Sequence, residues 1–409
     1  MIENNKLVPK RRFKKFQNAN AWEQSELGCF VEIKSGWSPS DFEIGNELYI
    51  KVDDLNYSEH IQKDSQMKVK RHLKHDMMKC GSTIFPKRGA AILTNKVRKL
   101  GVDGYMDTNM MALRPLDIDE NFLYIFVTKT GLYKIADTST IPQINNKHIE
   151  PYKIDIPLLG EQQKIGEFFT TLDQTIAFQQ QKLEKMKSMK SAYLSEMFPA
   201  EGERKPKRRF PGFTDDWKQR ELGKVLGNLT DGDWIEKEHI SDKGKYRIIQ
   251  TGNIGIGEYY NKGKDAKFLN QSSFDVLNGN EIFPGDILIS RLAEPAGRTI
   301  ILPNTGSRMV TAVDVAIVRP NSNFSSYFIQ TMMNTNETLK KINEEASGST
   351  RKRISRKNLE LIDLIIPEIQ EQEKIGNFFK NLDQTIAFQQ QKLEKLQNIK
   401  KAYLNEMFI

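Results

Sequence analysis

The sequence predicts an α+β chain in which two mixed domains of sheet and helix are each followed by one long helix. Three observations carry this reading. A 38-residue segment occurs twice, the stretches preceding the two copies share a faint skeleton, and those stretches alternate short β-branched runs with Gly, Asn and Asp turns.

At 409 residues the chain exceeds an ordinary single domain, and a repeat at about half its length favours two. Apolar residues make up 38% and charged residues 28%, a balance that fits a globular chain. No apolar run approaches the roughly eighteen residues of a membrane span, and the opening MIENNKLVPKRRFKKF lacks an apolar signal core, so a cytoplasmic protein is expected. Cys29 and Cys80 with five scattered histidines give neither a disulfide framework nor a Cys/His metal spacing, and no metal is expected.

In chain order the expected elements are a basic arm (1–20), a first domain (21–157), a first long helix (158–198), a basic linker (199–213), a second domain (214–367) and a second long helix (368–409). The net charge of +8 is concentrated in the arm, at +5, and the linker, at +3, so only local clusters can mark a polyanion site in the globular parts. The two basic segments echo each other as PKRRFKKF at Pro9 and PKRRFPGF at Pro206. In the domains, WEQSELG at Trp22 answers WKQRELG at Trp217, and IKSGW at Ile33 answers LTDGDW at Leu229. Further on, STIFPK at Ser82 resembles DILISR at Asp286, and MALRP at Met111 resembles AIVRP at Ala316. Runs such as LYIKV, ILISR, TIIL and VAIVRP read as strands. A helix is expected after each Arg-Pro, over NFLYIFVTKTGLYKI and SSYFIQTMMNTNETLKKI.

The long helices begin as EQQKIGEFF at Glu161 and EQEKIGNFF at Glu371, and the two copies agree at 28 of 38 positions. Apolar residues recur at Ile165, Phe169, Leu172, Ile176 and Leu183, and again at Ile375, Phe379, Leu382, Ile386 and Leu393, the alternating spacing of a coiled-coil seam. Gln179 and Lys190 break the pattern. With no internal proline, each copy should form one helix of about 37 residues, roughly 55 Å long. Outward-facing Gln180, Gln181, Lys182, Glu184 and Lys185 recur unchanged as Gln390, Gln391, Lys392, Glu394 and Lys395, although a solvated face has no need of identity. They are therefore candidates for docking one kind of partner twice.

Catalytic signatures are missing from the sequence. There is no Pro-Pro pair, hence no Asn-Pro-Pro-Tyr signature of an adenine methyltransferase; TGNIGIG at Thr251 reads as a turn, and no Walker A sequence occurs. Basic clusters are what remains, and their side chains suit phosphates and guanine edges. The densest is GSTRKRISRKNLE, giving Thr350, Arg351, Lys352, Arg353, Arg356 and Lys357 as candidate DNA-binding residues. Its counterpart TSTIPQINNKHIE offers Thr140, Asn145 and Lys147. Lys87, Arg88, Lys96, Arg98 and Lys99 in the first domain, and Arg291 and Arg298 in the second, complete the set.

Two diverged domains, each followed by a near-identical helix reading EQ.KIG.FF..LDQTIAFQQQKLE and closing AYL.EMF, resemble the specificity subunits of type I restriction-modification systems. The resemblance spans essentially the whole chain. It implies that each domain is a target recognition domain reading one half of a bipartite, asymmetric double-stranded DNA site. It further implies that the helices form an antiparallel coiled coil in a pseudo-twofold cyclic arrangement, fix the spacing, and dock two modification (methyltransferase) subunits, which restriction subunits join. Such a chain is non-catalytic, with no cofactor of its own: S-adenosylmethionine sits on the methyltransferase partner, ATP and Mg on the restriction partner. The source would be bacterial or archaeal. A self-sufficient nuclease and a solitary repressor-like DNA-binding protein remain open as alternatives.

Overall fold

Val31–Ser35, Met110–Pro115, Thr83–Pro86, Arg98–Leu100 and Ile61–Gln62 lie side by side, in that order, as a five-stranded sheet. A three-stranded sheet of Met67–Val69, Ile44–Ile50 and Gly104–Met106 accompanies it. The second domain repeats the plan: Thr230–Asp231, Val315–Val318, Ile287–Ser290 and Thr299–Ile301 form one sheet, and Lys267–Leu269, Tyr246–Ile249, Arg308–Thr311 and Glu281–Ile282 the other. Both domains mix parallel and antiparallel pairing, since Ile44–Ile50 runs parallel to Gly104–Met106 just as Tyr246–Ile249 does to Arg308–Thr311. The β-branched runs account for the central strands. Ile287–Ser290 and Val315–Val318 are buried along their whole length, which a continuous apolar strand satisfies and an alternating one would not.

The computed structural model describes residues 7–58, 60–137, 141–348 and 352–409. The chain divides into two units, one of residues 1–182 with 389–409 and the other of residues 183–388, so each division falls within a long helix. Among the described residues no helix is long and apolar enough to cross a membrane.

The long helices span Leu159–Met197 and Ile369–Met407, 39 residues each, starting two residues before the Glu-Gln pair. Within the first unit Phe168 of the first helix meets Tyr403 of the second, with ring centroids 5.2 Å apart, and Lys400 pairs with Asp173 at 2.5 Å. Within the second unit Tyr193 meets Phe378 at 5.0 Å and Lys190 pairs with Asp383 at 2.6 Å. In each unit the start of one helix therefore lies beside the end of the other, and the pair runs antiparallel. Ile165, Phe169, Leu183, Ile375, Phe379 and Leu393 are buried, while Leu172, Ile176, Leu382 and Ile386 are partly so.

The expected helix after each Arg-Pro is broken in both domains. In the first, Glu120–Thr130 stops at Gly131, whose φ of 85° turns the chain before Leu132–Ile135. In the second, Ser326–Met333 ends at Asn334, and the Thr335 hydroxyl accepts from the N–H of Thr338 to cap Asn336–Glu344. A local cap outweighs continuous apolar periodicity there.

Much of the repeated motif holds each unit together. Glu161 is buried and takes a two-pronged bond from Arg12 of the arm, just as Glu371 does from Arg209. The Gln162 amide donates to Pro157 O and accepts from the N–H of Asp119; Gln372 does the same with Pro367 and Ser325. The closing Phe408 packs against Trp22, Phe122 and Phe169, and Phe198 against Trp217, Phe328 and Phe379. These identities are therefore required by internal packing.

Candidate nucleic-acid interface

Two glycines fix the equivalence of the domains. A Cβ on Gly36 would sit 2.0 Å from the carbonyl oxygen of Asp107, and one on Gly232 would sit 2.2 Å from that of Ala312, so both strands pass too close for a side chain. Ser35 thus corresponds to Asp231. The same frame matches Lys87 to Arg291, because the N–H of Lys87 donates to Asn109 O and that of Arg291 to Asp314 O, each at 2.8 Å. It also matches Ile144 to Ile354, whose N–H groups donate to the carbonyls of Lys87 and Arg291. One end of each domain is built from the same four backbone segments.

The side chains there differ. In the first domain the Lys87 ammonium donates to Ser35 Oγ at 2.9 Å, and burial, reinforced by neighbouring Arg88, pushes its pKa down. With its amide oxygen turned toward Arg88, Gln143 accepts from Nε at 3.0 Å and Nη2 at 3.1 Å, holding an otherwise exposed guanidinium in place. Asn145 and Lys147 follow on the same segment, Lys147 exposed. In the second domain Arg291 pairs with Asp231 at 3.0 Å, Arg353 with Asp314 at 2.9 Å, and Arg356 reaches Asp231 and Glu360 at 3.6 and 3.5 Å. Lys352 donates to Asn343 O, and Lys357 is exposed with no ion pair among the described residues.

Several of the cations chosen from the sequence are held in internal bonds. Arg291 is only 4% exposed and donates to the carbonyls of Val313 and Ile354, so it braces the site from inside. Arg98 donates to the carbonyls of Leu55, Ser58 and Val97, and Lys99 is held by Glu120 and Asn121, which makes both of them struts of the sheet edge. Lys96 bonds to Asn56, and Arg298, whose carbonyl accepts from the N–H of Ser290 beside Arg291, donates to Thr251 O. Thr140, Thr350 and Arg351 lie outside the described residues. Ser35, Gln143, Asp231 and Asp314 were missed by charge counting; the Ser-Gly and Asp-Gly pairs aligned with each other are the signal that could have marked two of them.

On the long helices, Gln180, Gln181, Lys182 and Glu184 are exposed, as are Gln390, Gln391, Lys392 and Glu394. Phe178 and Phe388, within the same identical stretch, are 63% and 62% exposed, so each copy also presents an aromatic ring to solvent.

A family model described as the type I restriction modification DNA specificity domain matches residues 20–188 and again 214–398. The chain belongs to that family. Among its relatives, the putative type I restriction enzyme MjaX specificity subunit of Methanocaldococcus jannaschii is 22% identical over 425 residues, covering 94% of this chain and 92% of its own length. The MjaVIII specificity subunit of the same organism is 20% identical over 317 residues, 75% of this chain and 74% of the relative. Among solved structures, the type I restriction-modification S subunit from M. genitalium aligns over 98% of this chain and 99% of its own, with a TM-score of 0.64 at 14% identity, and so shares the fold of this specificity-family chain.

Proposed function

We propose that the chain is the DNA sequence-specificity subunit of a type I restriction-modification complex, each domain reading one half of a bipartite site. The observation that carries this is the pair of equivalent domain ends: one backbone frame holds Lys87–Ser35 and Arg88–Gln143 in one domain, and Arg291–Asp231 and Arg353–Asp314 in the other. A shared frame with changed polar groups is what two readers of different base sequences require. The long helices set the distance between half-sites. Their repeated exposed faces, with Gln180 to Glu184 and Gln390 to Glu394, dock two copies of one methyltransferase subunit, and restriction subunits join that core.

The chain supplies recognition, and its partners supply the chemistry. S-adenosylmethionine belongs to the methyltransferase subunit, ATP and Mg to the restriction subunit. Co-expression with the methyltransferase partner, followed by mapping of methylated adenines, tests the reading: methylation at a bipartite site should need both chains. S-adenosylmethionine turnover by the purified chain alone would overturn it. Exchange of residues 214–367 for the matching domain of a relative should alter one half-site and leave the other.

A further inference from the structure

We propose that the loop from Lys70 to Met77 is a second DNA-contacting element of the first domain, in which Arg71 and Lys74 meet phosphates and Leu73 meets a base edge. The inference rests on the reading of this domain as a half-site reader. Lys68, Lys70, Arg71 and Lys74 fall within seven residues, the densest positive stretch of the domain. Lys68 and Lys70 are answered by Asp64 and Glu43 at 3.0 and 2.6 Å. Arg71 and Lys74 are exposed and have no ion pair among the described residues, so their charge is available to a polyanion. Between them Leu73 is 101% exposed.

A single exposed leucine needs no explanation by itself. This one is mounted on a rigid support. The His72 ring stacks on His75 with centroids 4.1 Å apart, His75 stacks on Trp37 at 4.1 Å, and Phe42 packs against both histidines at 5.6 Å. The N–H of His72 donates to the Tyr105 hydroxyl at 2.9 Å, and His72 Nδ1 accepts from the N–H of Lys74 at 3.1 Å. The backbone on both sides of Leu73 is thereby fixed, which lowers the entropy lost when the tip is bound.

The support also places the loop. Trp37 lies two residues after Ser35, which takes the Lys87 ammonium, so the loop adjoins the end that carries Lys87 and Arg88. The counterpart segment of the second domain, between Lys267–Leu269 and Ile287–Ser290, carries no Lys or Arg. It forms a short helix, Gln271–Val276, whose Phe274 stacks on Tyr246 at 4.0 Å. The charged tip is thus particular to one half-site. Apolar side chains read thymine methyl groups or wedge between base pairs, and either contact depends on base identity.

The test uses the full chain assembled with its methyltransferase partner and a duplex bearing the mapped site. In Arg71→Gln with Lys74→Gln, affinity should fall about 10-fold, and the dependence of log affinity on log salt should become shallower by about two, with the sequence preference unchanged. In Leu73→Ala the salt dependence should stay, while discrimination at the first half-site alone relaxes about 10-fold. An unchanged salt slope in the double variant, while Lys357→Gln in the second domain still lowers it, would show the loop to be a solvated face. If the wild-type complex prefers no duplex at all, the half-site reading fails and this inference with it.

Discussion

Arg291 and Lys357 belong to the same basic region, yet their surroundings give them opposite roles. Replacing Arg291 with Met would leave the carbonyls of Val313 and Ile354 without their donor and the Asp231 carboxylate with only the more distant Arg356, 3.6 Å away. The expected cost is about 3 kcal/mol of folding stability, measurable by urea denaturation of the full chain. A loss below about 1 kcal/mol would mean that water replaces the guanidinium. Lys357→Gln should leave stability alone and make the salt dependence of DNA affinity shallower by about one charge. The sequence made the density of cations in this region legible, but not the acids that answer them. Asp231 lies far along the chain from Arg291 and Arg356, as Asp314 does from Arg353, and each acid meets its cations only when the strand ends come together. Charge counted along a chain is blind to pairing across a sheet. For the same reason Arg98 and Lys99 looked available in the sequence and are bonded in the fold.

At the scale of elements, the interruptions in the helix seam explain the orientation. Lys190 breaks the apolar spacing, and so does its counterpart Lys400; they face Asp383 and Asp173 across the antiparallel pair. The two pairs should differ in energy. Asp173 is 8% exposed, so Lys400→Met strands a buried carboxylate and should cost about 2–4 kcal/mol, whereas Lys190→Met, at a wetter pair, should cost less than about 1 kcal/mol. Equal losses in chemical denaturation would contradict this ranking. The glycine of each Lys-Ile-Gly permits a second close approach. A Cβ at Gly166 would fall 2.6 Å from Asp119 Oδ1 and 2.7 Å from Asn121 Cβ, and one at Gly376 would fall 2.8 Å from the backbone nitrogen of Phe328. Gly166→Ala or Gly376→Ala should therefore destabilise by about 1–3 kcal/mol, against the usual gain of alanine in a helix; an increase in midpoint for either would show that the helix can move away. The long helices themselves were legible from periodicity and the absence of proline. The shorter helices were not, since a single threonine cap or one glycine decides where they break.

At the scale of the whole molecule, each unit takes the start of one long helix, the end of the other, and one basic arm that ties the two. In the second unit Arg208 donates its backbone N–H to Glu196 O at 2.8 Å and its side chain to the Glu196 carboxylate, while Arg209 holds Glu371. In the first unit Arg11 makes the same backbone bond to Glu406 O at 2.8 Å and the same ion pair with Glu406, while Arg12 holds Glu161. Lys129 also donates to the carbonyl oxygen of Ile409. In the second unit residues 199–207 connect helix and arm covalently. Joining Ile409 to residue 1 would give the first unit a span comparable to that between Glu196 and Arg208. Opening the chain between Pro199 and Lys205 would then cut an exposed connection and leave the Arg208 and Arg209 contacts to be made without it, as Arg11 and Arg12 already make theirs. Such a circular permutant should fold, assemble with the methyltransferase partner and methylate the same bipartite site. A permutant that aggregates, or that folds but methylates a different or relaxed sequence, would show that the covalent linker does more than hold the arm in reach.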